Sequence, residues 1–101
     1  MREARTAPCY RLYSIGDRHP AMLRAASGGT AVALELWEVP AERLAAILQG
    51  EPPGLAIGKV ALEDGAESLG VLGEPWLCET GREITRHGGW RAYLASKPAA
   101  R

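Results

Sequence analysis

The sequence predicts an α+β fold: a small, curled, mainly antiparallel sheet or barrel with one central and one terminal helix. Three observations predict it. Segments rich in β-forming residues, several with alternating faces, recur along most of the chain. One helical stripe, Leu44, Ile47 and Leu48, interrupts them. Glycines fall inside strand segments at Gly58, Gly70 and Gly73, as they do in sheets that bulge or bend.

The 101 residues fit a single domain, 1–101, and 47% hydrophobic content is enough for one core. Residues 1–8 read as a flexible lead-in ending at Pro8. Cys9 to Ile15 alternates Tyr10, Leu12 and Ser14 against Cys9, Arg11 and Tyr13, which is a strand. Gly16-Asp17-Arg18-His19-Pro20 is a turn cluster, and Ala21 to Ala26 is a short strand. Ser27-Gly28-Gly29 reads as a hairpin turn into Thr30 to Val39, the clearest strand of the chain. Pro40-Ala41-Glu42 opens the central helix, Gly50 closes it, and Pro52-Pro53 blocks its return. Gly54 to Leu62 and Glu67 to Trp76 read as paired strands across Glu63-Asp64-Gly65. Arg86 to Leu94 leads into the terminal helix, with Trp90, Tyr93 and Leu94 spaced to dock on one side. Residues 97–101 read as a fraying tail.

Charge and composition narrow the function. Twelve basic and twelve acidic residues cancel, and no basic run appears, which argues against a nucleic-acid or membrane surface. No stretch reaches the roughly 18 apolar residues of a membrane span, and the polar start does not resemble a signal peptide. A cytoplasmic location is the expectation. Cys9 and Cys78 are then free thiols, and two isolated histidines do not make a metal site.

The residues that could carry chemistry are few. Glu51, after the central helix, is either an exposed loop carboxylate or a general base at the mouth of a small barrel. Tyr10, Arg11 and Tyr13 form a polar-aromatic strand in which Arg11 could clamp a substrate carboxylate, or simply be solvated. His87 precedes Gly88-Gly89, a pair that permits a tight entry into the last helix.

Three segments together carry a family resemblance: Arg5 to Tyr13, Leu55 to Val60, and Ile84 to Leu94. The third is the most specific, with Ile84-Thr85 followed by Gly88-Gly89-Trp90-Arg91-Ala92-Tyr93-Leu94. They resemble the C-terminal domain of allophanate hydrolase and, more distantly, the γ-glutamyl cyclotransferase-like fold. The resemblance implies a role in urea breakdown through allophanate. There the amidase part hydrolyses allophanate and the C-terminal domain helps decarboxylate the released N-carboxycarbamate. No cofactor is implied. In the related cyclotransferases a glutamate acts as acid and base in a cavity closed by a glycine-containing loop; Glu51 is the candidate for that role here, with His87 the other candidate for proton transfer.

The family pattern also includes a strand and loop resembling Gly-x-His-Leu-x-Gly-x-Pro-Leu-Asn, ahead of the segment that matches Arg5 to Tyr13. This sequence lacks that stretch and its candidate catalytic histidine. His19, which lies after the first strand, does not take over that role. A missing strand would leave an exposed sheet edge, so a homo-oligomer or an amidase partner is expected there. The leading expectation is a domain that binds a small carboxylated amine, or a partner, without catalysing alone. The alternatives are active decarboxylation of N-carboxycarbamate and γ-glutamyl cyclotransferase activity.

Overall fold

A computed structural model describes residues 1–97. Among these residues seven strands and three α-helices run in the order β1 (Arg2–Arg5), β2 (Tyr10–Ile15), β3 (His19–Arg24), β4 (Ala33–Leu36), α1 (Ala41–Gln49), β5 (Leu55–Ala61), β6 (Glu67–Gly73), α2 (Pro75–Thr80), β7 (Arg82–Glu83) and α3 (Trp90–Ala95), with a 3-10 turn at Thr85–His87 before α3. They form three small sheets, β1–β4, β3–β2–β7 and β5–β6, with every pair antiparallel. The fold is α+β as expected, and the sheets do not close into a barrel.

The alternation in Cys9 to Ile15 places Tyr10, Leu12 and Ser14 inward, all buried. Tyr10 is fully buried, and its hydroxyl accepts from Arg24 Nη2 at 2.7 Å and from the Ala61 amide at 2.9 Å. The main core gathers Tyr10, Leu12, Met22, Val32, Val60, Leu62, Ile84 and Tyr93. A second cluster of Ala21, Leu55, Leu77 and Cys78 sits beside it. Both cysteines are free thiols.

Several expectations change. The supposed lead-in carries β1, which pairs with β4 from Arg2↔Leu36 to Arg5↔Ala33. Its charged, mostly exposed residues gave no hydrophobic alternation to read. Ser27-Gly28-Gly29 does not close a hairpin. β3 instead pairs with β2 across the Gly16–Arg18 turn, and β4 pairs back to β1. Gly29 is needed for a different reason: a Cβ there would lie 2.4 Å from the Cys9 carbonyl carbon. The strand expected from Glu67 to Trp76 ends at Gly73, and Pro75 starts α2, where its missing N–H costs nothing.

The central helix forms where expected, but none of its residues is buried. Ile47 and Leu48 of the predicted inward stripe are 40% and 38% exposed. Leu94, expected to dock, is 42% exposed, whereas Tyr93 is buried and Trp90 is packed partly against the core. Of the expected tail, Lys97 pairs with Asp17 and residues 98–101 lie outside the described residues.

Among the described residues β5 and β6 pair with no further strand, although Thr6 and Ala7 bond the end of β5. The Leu62 amide donates to the Ala66 carbonyl, so the even-numbered residues of β5 face β6. Odd-numbered residues face away. Ala61 there finds Ala7 and Tyr10, but Ile57 and Lys59 have no hydrogen-bond partner on that side among the described residues.

Candidate functional site

Among the described residues an open cleft of about 970 Å³ lies between the sheets and α3. Its floor is apolar because the inward positions of the strands meet there: Leu12, Met22, Val32, Val60, Leu55 and Val71. One wall is β1 with β4. Glu51 and the start of β3, at His19 and Pro20, also line the cleft. The remaining wall is α3, which contributes Trp90, Arg91, Ala92 and Leu94. Pockets that bind small molecules share this character, a mostly apolar lining with a few polar groups.

The polar groups are of both signs. Glu35 accepts from Arg91 Nε at 2.6 Å and from Trp37 Nε1 at 3.3 Å, joining β4 to α3. The Arg91 hydrogen bond holds the Glu35 carboxyl below its ordinary range. Arg5 donates from Nη2 to the Ala31 carbonyl at 3.2 Å. Glu3, Glu51 and Glu63 supply carboxylates, and His19 is the one imidazole among the lining residues.

Of the residues singled out from sequence, Glu51 lines this cleft. His87 lies elsewhere, with its ring edge-on to Tyr93 at 5.2 Å between centroids. Tyr10 is in the core. Arg11 faces away from the cleft lining, bonded to both Glu83 carboxylate oxygens at 3.4 Å and to the Ser27 carbonyl at 3.1 Å. Tyr13 packs against the second core cluster, and burial, then the nearby Glu83 charge, pushes its phenol upward. The structure therefore brings Glu51 together with His19, Arg5, Glu35 and Arg91, none of which the sequence reading selected as a site residue. No local spacing signals that set, because its members come from five separate elements.

At the opposite end of α3, Asp17 collects three side-chain donors. Ser14 Oγ lies at 2.6 Å, the Tyr93 hydroxyl at 2.7 Å, and the Lys97 ammonium pairs with the second carboxylate oxygen. Lys97 foremost, then Ser14 and Tyr93, holds the Asp17 carboxyl well below the usual range. Asp17 has φ of 58°, so it occupies the left-handed region without being glycine.

Fold and cleft together define a small α+β domain with three antiparallel sheets around an open, mixed-charge cleft. The chain belongs to the allophanate hydrolase C-terminal domain family, whose model matches residues 1–95. It is 31% identical over 97 residues to urea amidolyase of Saccharomyces cerevisiae, covering 89% of this chain but 5% of that protein. Among solved structures, it is similar to a uropathogenic E. coli-specific protein at 54% identity and TM-score 0.90, covering 97% of this chain and 77% of that one. It is also similar to Kluyveromyces lactis allophanate hydrolase at 26% identity and TM-score 0.84, covering 94% of this chain and 17% of that one. The chain spans about 5% of the length of the curated relative it matches. No helix among the described residues is long and apolar enough to cross a membrane.

Proposed function

We propose that this chain is a binding module of allophanate breakdown that takes a small carboxylated amine in the cleft and does not catalyse alone. The observation that carries the reading is the mixed-charge lining above an apolar floor, with Arg5, Arg91 and His19 on the same cleft as Glu51. A guanidinium offers a carboxylate a two-pronged donor set, and a carboxylate accepts from an amine or amide N–H. One cleft can then hold both ends of such a ligand. The cytoplasm is the compartment this reading implies.

Two assays test it. Calorimetric titration with allophanate should show saturable binding that weakens in Arg5→Ala. Adding the chain to an allophanate hydrolase lacking its own C-terminal domain should leave carbon dioxide release unchanged. A rise in that release, abolished by Glu51→Gln, would favour active decarboxylation with Glu51 transferring the proton. Release of 5-oxoproline from a γ-glutamyl substrate would favour cyclotransferase activity.

A second reading rests on the edges of β5 and β6. The N–H and C=O groups at Ile57 and Lys59 have no partner among the described residues and, with Leu69 60% exposed on β6, suit pairing with another chain. A second copy of this chain and an amidase partner are the candidates for that edge.

A further inference from the structure

α3 forms one wall of the cleft and is anchored on the core by the buried Tyr93 ring and partly by Trp90. It has six residues, too few to be stable on its own, and one buried side chain, Tyr93. The chain enters it through Gly88, at φ of 76°, and Gly89. A Cβ on Gly88 would meet nothing within 4 Å, so glycine serves the backbone angle there and not a close contact.

Core packing holds one face of the helix, and contacts at its two ends set how it lies on that face. At its start, the Ala33 amide donates to the Gly88 carbonyl at 2.7 Å, and Arg91 reaches Glu35. The Arg91 side chain is 82% exposed, and an ion pair that open contributes little. At its far end stand the Tyr93 hydroxyl and Lys97, both on Asp17. Ser14 Oγ holds the same carboxylate from β2 and also accepts from the Asp17 amide at 3.1 Å. The carboxylate is thus fixed from its own hairpin before it meets the helix. Glycine would adopt the backbone angle of Asp17 more easily. The aspartate side chain is what this position supplies to the helix.

We propose that Asp17 is a positioning residue for the cleft: from outside the lining, it latches α3 through Tyr93 and Lys97 and so sets where Trp90, Arg91 and Leu94 stand. The proposal rests on the reading of the cleft as a ligand site. Asp17 fixes a wall and does not touch the ligand.

Three variants separate this role from simple stability of the turn. Asp17→Gly keeps the left-handed backbone and removes the latch. Asp17→Asn keeps one acceptor oxygen and removes the charge. Tyr93→Phe removes the hydroxyl alone. Amide hydrogen exchange should be measured residue by residue, together with allophanate titration followed by NMR. In Asp17→Gly the amides of 92–96 should exchange about ten-fold faster, from the loss of hydrogen bonds to a charged group, while those of β5 and β6 hold. Allophanate affinity should fall several-fold, with Asp17→Asn and Tyr93→Phe in between. Unchanged exchange in α3, or an equal rise throughout the molecule, would overturn the latch. If the unsubstituted chain binds no allophanate, the ligand reading falls, and the exchange data still decide whether Asp17 places the helix.

Discussion

The Tyr93 hydroxyl donates to Asp17 Oδ1 at 2.7 Å, joining the last helix to a turn 76 residues earlier in the chain. The same aromatic ring lies in the main core, so one residue links the packed interior to a polar cluster at the surface.

Acid should weaken the fold through this cluster. The Asp17 carboxyl is held below its ordinary 3.8 by Lys97, Ser14 and Tyr93, and that of Glu35 below its ordinary 4.5, mainly by Arg91. A carboxyl group whose folded pKa is depressed stabilises the fold above its unfolded pKa, and that contribution is lost as pH falls below it. The urea midpoint should hold from pH 7 to about 5 and then drop as pH passes below 4.5 and 3.8. Asp17→Asn should flatten the lower part of that drop. An identical profile for the variant would show that Asp17 contributes nothing to the acid response.

Tyr10→Phe should destabilise the domain by about 1–3 kcal/mol. The phenol is fully buried and accepts from both Arg24 and the Ala61 amide, so its removal leaves a backbone N–H near the β5 edge without its acceptor. Chemical denaturation measures this. A loss below about 0.5 kcal/mol would mean that the freed groups find other partners.

Gly54→Ala should cost at least about 2 kcal/mol. The backbone there has φ of 96°, and a Cβ would lie 2.8 Å from Trp76 Cζ2 and 2.9 Å from Leu77 Cβ. Gly65→Ala provides the comparison, with φ of 90° and nothing within 4 Å. Equal losses at the two sites would show that the backbone angle alone matters.

Self-association through the β5–β6 sheet should appear as a rise in scattering mass with concentration. Leu69→Lys, on the exposed face beside the β6 edge, should suppress it, because charge on an edge strand discourages pairing. A mass that stays monomeric at every concentration would remove this mode of pairing.

The fold was legible where a periodic segment was long enough to bury one face. Tyr10, Leu12 and Ser14 gave β2, and Pro40 with Gly50 bounded α1. α2 was hidden because its six residues follow directly on β6, so the strand reading ran on to Trp76. β1 was hidden because Arg2, Glu3 and Arg5 show no apolar face. Strand partners were harder still. The Ser-Gly-Gly turn was visible, but the pairing of β4 with β1 depends on contacts far apart in sequence. The same limit governed the site. Glu51 could be singled out by its place after a helix, whereas His19 and Arg91 gain their meaning only when β3 and α3 meet around the cleft. Asp17 was read as part of a turn, and its side-chain partners lie near the far end of the chain.

The most direct test of the central claim is an NMR titration of the labelled chain with allophanate, following every backbone amide. Saturable shifts should concentrate at Arg5, His19, Glu35, Glu51, Trp90 and Arg91, with β6 near Leu69 unmoved. Saturating shifts that leave those residues untouched, or no saturable shift at all, would contradict the claim.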